Sequence, residues 1–179
     1  DLGGVAKGYA AGKIAELLKS RGISHALLDF GGDIAAVGSK PNGSPWRIGI
    51  QDPAANRGIL LGIIEIADQS VVTSGVYERY FFLDGIRYHH ILDPDQGYPV
   101  RNGLTSVTVI TKDPATADAL STAAFVLGLE KGTTLIASIN DTEAIFVYED
   151  KQVFLTDGLQ DIFELTSEEY AISPSAYRE

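Results

Sequence analysis

The sequence contains no cysteine and no methionine among its 179 residues. A chain without cysteine forms no disulfide, offers no thiolate nucleophile and builds no cysteine-ligated metal site. The lack of thiols also suits an oxidising, extracytoplasmic compartment. Because no methionine starts the chain, we expect it to be a processed product or a fragment.

Basic residues are few as well, since 14 Lys and Arg stand against 24 Asp and Glu for a net charge of −10. Nucleic-acid affinity comes largely from clustered Lys and Arg, so we expect no nucleic-acid partner. A small anionic ligand can still bind where a metal or a helix N-terminus supplies local positive charge. No apolar run approaches the roughly 18 residues of a membrane-spanning helix.

The sequence does contain a series of short elements bounded by glycine and polar residues. The spacing of apolar residues predicts a helix from Gly8 to Ser20 that stops at Gly22. Apolar and β-branched runs predict strands in "HALLDF", "DIAAVGS", "WRIGIQD", "GILLGIIEIAD" and "LTSVTVIT". The stretch "SVVTSGVYERYFFLDGIRYHHILD" predicts three strands, two of them joined by a hairpin turn at Asp84-Gly85.

A second helical region, "DPATADALSTAAFVLGLEKGTTLIASI", breaks near Gly128, and a hairpin turning at Asp150-Lys151 follows it. The last 14 residues lack periodicity, so we expect them to be peripheral. This order of elements predicts one mixed α/β or α+β domain over residues 1–179, with largely antiparallel sheets and packed helices. A doubly wound nucleotide fold is disfavoured, because strands and helices do not alternate and the opening turn is not GxGxxG.

The opening stretch "DLGGVAKGYA" is the first of four that concentrate polar residues and glycines. Its glycines let the backbone approach a ligand closely, and the following helix directs its first N–H groups toward that ligand. Lys7 could then meet a phosphate or a carbonyl. The alternative is a helix-entry turn with a solvated lysine.

The second stretch, "HHILDPDQGYP", places two histidines at the end of a strand. His89 and His90 point to opposite faces, so at most one of them faces a given cleft. A histidine there suits a general base, because its ordinary pKa lies near neutral pH. The alternative is one buried, satisfied histidine and one exposed histidine.

The third stretch, "ADALSTAAF", places Asp118 and Thr122 four residues apart, on one face of a helix. A carboxylate and a hydroxyl supply hard oxygen ligands, which suit Mg²⁺ better than zinc. The alternative is a first-turn Asp favoured by the helix dipole and a Thr bonded to a backbone carbonyl.

The fourth stretch, "VVTSGVYERYFF", breaks an apolar run at Ser74-Gly75 and continues with aromatic residues. An aromatic beside such a break could line a flat ligand. Ordinary strand alternation with a bulge at Gly75 explains the pattern equally well.

Together with "GGDI" at residues 31–34, these stretches occur in the order found in the ApbE family of FAD:protein FMN transferases. The sequence closely resembles the C-terminal half to two-thirds of such a protein over residues 1 to about 150, and five ordered motifs make the resemblance specific. It implies the family's T-fold-like flavin transferase architecture and a missing N-terminal portion. It also implies a bacterial, extracytoplasmic protein, with a lipid anchor in the missing portion.

The resemblance further implies that Mg²⁺ and FAD are used to attach FMN to a Thr or Ser of an acceptor protein, with release of AMP. Asp118 and Thr122 match the family's metal ligands, with the carbonyl of Gly4 as a third. Some members carry a second acidic residue where this sequence has Ser121, so this part of the metal shell departs from them.

By the same resemblance His90 matches the proposed catalytic base, and Lys7 matches a lysine near the flavin nucleotide. The remaining cofactor-binding positions are Asp1, Ser74, Gly75 and Asp93. Two alternatives stay open: an FAD pyrophosphatase on the same scaffold, and a flavin-binding module without catalysis.

Overall fold

The computed structural model describes residues 2–173. Two α-helices, α1 at Ala6–Ser20 and α2 at Pro114–Ala137, flank a β-rich body. Within this part of the chain, neither helix is both long and apolar enough to cross a membrane. The strands, in chain order, are β1 Ala26–Asp29, β2 Ile34–Val37, β3 Trp46–Gln51, β4 Leu60–Ile66, β5 Ser70–Gly75, β6 Tyr80–Leu83, β7 Ile86–His89, β8 Leu104–Thr111, β9 Glu143–Tyr148, β10 Gln152–Leu155, β11 Phe163–Leu165 and β12 Ala171–Ile172.

The largest sheet has seven strands in the order β1-β2-β5-β8-β9-β10-β12. Neighbouring strands are antiparallel except β10 and β12, which are parallel. A second, antiparallel sheet has the order β11-β4-β3, and β6 and β7 form a separate hairpin. This confirms the predicted α+β class with largely antiparallel sheets.

The seven-stranded sheet is covered on both faces. Alternate residues of β8 and β9 point to opposite sides, as strand geometry requires. Val109 and Phe146 pack with Phe125 of α2 in one apolar cluster. Ile110 and Ile145 pack in a second cluster with β4 of the smaller sheet. The helices therefore form one layer, the large sheet the middle layer, and the small sheet the third.

Helix α2 begins and bends where its sequence requires. Asp113 precedes it as an N-cap, and its side chain accepts a hydrogen bond from the backbone N–H of Thr116. Pro114 occupies the first turn, where its missing N–H costs no helical hydrogen bond. The predicted break is confirmed at Gly128, whose φ of 78° and ψ of −178° are non-helical.

Most predicted elements are confirmed, including the hairpins that turn at Asp84-Gly85 and at Asp150-Lys151. The first helix starts two residues earlier than predicted, at Ala6. The expectation of a peripheral tail is wrong in part, because β12 joins the edge of the large sheet and Tyr170 is buried, although the other residues from 166 to 173 are exposed or half-buried. Residues 174–179 of the predicted tail lie outside the described residues. Tyr170 is buried in the core, and its hydroxyl donates a hydrogen bond to Asp52 at 2.5 Å.

Candidate functional site

The candidate site lies where the first turn of α1 meets α2. The two helices approach so closely at Gly8 that a Cβ on this residue would lie 2.2 Å from the carbonyl oxygen of Pro114. It would also lie 2.7 Å from the Cβ of Asp118. Both distances are far inside van der Waals contact, so the glycine in the opening motif is needed for helix packing.

Asp118 caps α1 from the neighbouring helix. The first N–H groups of a helix have no partner within the helix, and α1 has no side-chain cap at its N-cap residue, Val5. The buried carboxylate of Asp118 accepts the N–H of Gly8 at 2.9 Å through Oδ2. The carboxylate is thereby held at the positive end of the α1 dipole.

Three hydroxyls continue from Asp118 along α2 to the end of β5. Ser121 donates to the carbonyl oxygen of Asp118 at 2.9 Å. Ser74 lies 2.8 Å from the hydroxyl of Ser121 and 3.0 Å from that of Thr122. The pairing of Ser74 with Val107 in the β5–β8 ladder turns Ser74 toward α2, since Val107 packs in the cluster that contains α2.

The direction of these hydrogen bonds follows from proton counting. A hydroxyl donates one proton. Ser121 gives its proton to a carbonyl, so Ser74 donates to Ser121. Thr122 then donates to Ser74, and the lone pairs of the Thr122 oxygen remain available to a cation.

Gly4 belongs to the same cluster, because a Cβ on it would lie 3.7 Å from the Thr122 hydroxyl oxygen. The structure therefore brings together Gly4, Asp118 and Thr122, the three predicted metal positions. Within residues 2–173 no group of three or more His, Cys, Asp or Glu side chains could hold a metal ion. A cation here would be bound by one carboxylate, one hydroxyl and a backbone carbonyl, which are hard oxygen ligands that suit Mg²⁺.

Lys7 does not extend freely into solvent. Its Nζ lies 3.0 Å from Oδ2 of Asp33, and the Lys7 side chain is half-exposed while that of Asp33 is buried. Burial raises the pKa of the Asp33 carboxyl, Lys7 lowers it, and the nearby charge of Asp118 raises it further. Asp33 was not a predicted site residue. The "GGD" turn was the only sequence signal for it.

The two histidines behave differently. His89 is buried, and its Nε2 donates to the carbonyl oxygen of Val100 at 3.0 Å, since a carbonyl can only accept. Burial lowers the pKa of His89. His90 is exposed, and its Nδ1 donates to the carbonyl of Arg79 at 3.3 Å. In a neutral His90 the lone pair therefore lies on Nε2, the nitrogen from which a general base would act.

Within residues 2–173 no hydrogen bond or ion pair connects His90 to Asp118 or Thr122. The role of His90 as a base stays a prediction. Asp93 uses its carboxylate inside its own loop, where it accepts the N–H of Asp95 at 2.8 Å and the side-chain amide of Gln96 at 2.9 Å. Its predicted contact with a cofactor is not tested by this arrangement.

Gly75 has a packing role that its sequence context did not reveal. A Cβ there would lie 2.5 Å from the ring of Tyr77, so the ring covers the end of β5. Burial also raises the pKa of the Tyr77 hydroxyl. The predicted role of Ser74 and Gly75 in cofactor binding stays a prediction. The remaining predicted position, Asp1, lies outside the described residues.

Comparison with known proteins gives consistent matches. The sequence model of the ApbE family matches residues 1–146. An FAD:protein FMN transferase of Klebsiella pneumoniae (strain 342) is 44% identical over 156 residues, which are 87% of this chain and 48% of that protein. The protein of the same name from Treponema pallidum (strain Nichols) is 41% identical over 169 residues, or 90% of this chain and 47% of that protein.

Solved structures give the same result. The ApbE protein of Thermotoga maritima superposes with a TM-score of 0.82 at 38% identity, over 90% of this chain and 52% of that one. The flavinyl transferase ApbE of Pseudomonas stutzeri superposes with a TM-score of 0.73 at 41% identity, over 91% of this chain and 51% of that one. This chain thus spans about half the length of the relatives that it matches.

Proposed function

Because the chain belongs to the ApbE family, we propose that it is the C-terminal portion of a transferase that moves FMN from FAD to an acceptor protein. FMN is attached through its phosphate to a Thr or Ser hydroxyl, and AMP is released. The names of the Klebsiella and Treponema relatives support this proposal. Since the chain spans 48% and 47% of those relatives, we assign the activity to the whole protein.

The observation that carries the proposal is the oxygen cluster at the N-terminus of α1. Asp118, Thr122 and the carbonyl of Gly4 would hold Mg²⁺, and Ser74 orients Thr122 so that its lone pairs stay free. Bound Mg²⁺ would neutralise charge on the pyrophosphate oxygens of FAD. The helix N-terminus adds positive potential to the same place.

The other predicted residues have roles around this cluster. Lys7, on the first turn of α1, would contribute positive charge near the phosphates of FAD. Ser74 and Gly75 would bind FAD at the end of β5, where the ring of Tyr77 packs on Gly75. Asp93 would bind FAD from the loop whose N–H groups its carboxylate accepts, and Asp1 is the remaining proposed FAD-binding residue.

His90 would act as the general base. The acceptor hydroxyl oxygen attacks the phosphorus that carries the flavin, and the bond to the bridging oxygen breaks, so that AMP leaves. The hydroxyl proton passes to Nε2 of His90, since Nδ1 already donates to Arg79. Such a base contributes about 10²- to 10⁴-fold in rate.

The test follows AMP release from FAD and Mg²⁺ by the full-length protein, with and without a Thr-containing acceptor protein. AMP that forms only with acceptor, together with a flavin-sized mass gain on the acceptor, is the expected result. AMP and free FMN without acceptor would make the enzyme a pyrophosphatase. FAD binding without AMP would make it a non-catalytic binding module.

Two substitutions test the residue roles. His90→Gln is expected to slow acceptor labelling about 100-fold or more, whereas His25→Gln, at another exposed histidine, leaves it unchanged. Asp118→Asn is expected to raise the Mg²⁺ concentration needed for half-maximal rate at least tenfold, since the ligand loses its charge. Asp113→Asn on the same helix is the control, because Asn caps a helix as well as Asp does. An unchanged Mg²⁺ dependence in Asp118→Asn would refute the metal assignment.

We also propose an extracytoplasmic, bacterial location, with a lipid anchor in the portion that this chain does not span. The absence of cysteine supports it, since free thiols are a liability in an oxidising compartment. Fractionation of cells that produce the full-length protein tests the location. Recovery in the cytoplasmic fraction would refute it.

A further inference from the structure

Asp33 differs from the other buried acidic residues in how its carboxylate is partnered. Asp118 accepts a backbone N–H from Gly8. Asp52 accepts a backbone N–H from Ala54 and the hydroxyl of Tyr170. Within residues 2–173, no backbone N–H donates to the carboxylate of Asp33, and the only partner is Nζ of Lys7 at 3.0 Å.

This arrangement adds little to the stability of the fold. Removing a carboxylate from water is costly unless hydrogen bonds replace its hydration. Burial raises the pKa of Asp33 even with Lys7 beside it. A residue selected for stability alone would be apolar here or would accept backbone hydrogen bonds. The position therefore calls for another explanation.

The turn that carries Asp33 is built to hold it in place. Asp29 accepts the N–H of Gly32 at 2.8 Å, and the N–H of Phe30 donates to the carbonyl of Asp33 at 3.0 Å. Gly31 and Gly32 have φ values of 69° and 98°, which favour glycine. The backbone that carries the Asp33 carboxylate is thus fixed by these hydrogen bonds, whereas its partner, Lys7, has a long side chain with many rotamers.

We propose that Asp33 is a positioning residue that holds the ammonium group of Lys7 on the first turn of α1, in place to meet the pyrophosphate of FAD. This inference rests on the proposed function of the site. The backbone N–H of the next residue, Gly8, donates to Asp118, so Lys7 lies on the helical turn that the proposed metal ligand Asp118 contacts. A lysine already held in one conformation loses less side-chain entropy when the ligand binds.

The experiment measures FAD affinity of the full-length protein by flavin fluorescence titration in EDTA, so that the readout does not depend on Mg²⁺ or on turnover. The variants are Asp33→Asn, Lys7→Ala and the double variant. Asp33→Asn is expected to weaken FAD binding about tenfold, and Lys7→Ala at least as much. The double variant is expected to bind no more weakly than Lys7→Ala alone, because Asp33 acts through Lys7.

The matched control is Asp68→Asn, which removes the ion pair of Asp68 with Lys19 at 2.7 Å, at the other end of the same helix. Its FAD affinity is expected to stay unchanged. Thermal unfolding separates positioning from a structural role: the Asp33→Asn protein is expected to unfold at the wild-type temperature or above, because the ionised carboxyl is disfavoured in the fold.

Three results would overturn the proposal. One is an FAD affinity of Asp33→Asn equal to that of the wild type. The second is an additional loss of FAD affinity when Asp33→Asn is added to Lys7→Ala, and the third is a lowered unfolding temperature of Asp33→Asn together with its loss of affinity. Either of the last two would show a structural role. If the wild type binds FAD but releases no AMP, the transferase proposal fails. The FAD affinities of the two single variants and the double variant still decide the role of Asp33. A wild type that binds FAD neither in EDTA nor with Mg²⁺ would refute both.

Discussion

The close packing of α1 on α2 predicts that Gly8 tolerates no side chain. In Gly8→Ala the new Cβ would lie 2.2 Å from the carbonyl oxygen of Pro114 and 2.7 Å from the Cβ of Asp118. One contact is to backbone and the other to the first carbon of a helical side chain, so neither can rotate away. The two helices must separate by about 1 Å or more for ordinary contact distances to return.

The size of the effect follows from three contributions. Overpacking of this kind costs about 1–3 kcal/mol. Loss of the hydrogen bond from the Gly8 N–H to the Asp118 carboxylate costs about 1.5 kcal/mol or more. The higher helix propensity of alanine offsets about 1 kcal/mol. We expect Gly8→Ala to lower the free energy of unfolding by about 2 kcal/mol.

Gly12, one turn further along α1, is the matched control. A Cβ there would find its nearest neighbour, Cδ of Pro114, at 3.7 Å, which is ordinary contact. Gly12→Ala should therefore raise stability by about 1 kcal/mol through helix propensity alone. Urea unfolding followed by circular dichroism measures both variants. Equal stability of Gly8→Ala and Gly12→Ala would refute the close helix approach on which the site is built.

Two further stability predictions use the same urea assay. Burial lowers the pKa of His89, so just below about pH 6.5 the unfolded chain binds a proton that the folded chain does not. The free energy of unfolding therefore decreases as the pH is lowered, by up to about 1.4 kcal/mol per pH unit. His89→Gln should reduce this slope; a slope identical to that of the wild type would contradict the prediction. Gly128→Ala should cost about 1–3 kcal/mol, since φ is 78° and ψ is −178° there and the nearest atom to the new Cβ is 3.6 Å away. Wild-type stability of this variant would show that α2 does not need its break.

The local pattern of the sequence was sufficient for most of the elements. Alternating and β-branched residues predicted the strands and hairpins, because side chains in a strand alternate between two faces. Apolar spacing predicted both helices, and the break at Gly128 was visible as a glycine within a helical run. The same local reasoning placed Asp118 and Thr122 on one helix face, since residues four apart are neighbours there.

Local patterns did not reveal β11 or β12. Both strands are short, at three and two residues, and β11 pairs with β4 while β12 pairs with β10. The core position of Tyr170 has the same cause, because its partner Asp52 lies 118 residues away. The periodicity of so short a segment carries no information about a partner so distant in the chain.

For the candidate site, too, the sequence and the tertiary structure contribute different information. The sequence by itself established the absence of thiols and, through ordered motifs, the resemblance to the family, and it predicted hard oxygen ligands for a cation. Only the tertiary structure decided that Asp118 caps a helix 110 residues earlier, and that Ser74 meets Thr122 from 48 residues away. Only the tertiary structure paired Lys7 with Asp33. Those contacts depend on the β5–β8 register and on the close approach of α1 and α2 at Gly8. Both arise only when the elements pack together, so the spacing of residues along the chain does not predict them.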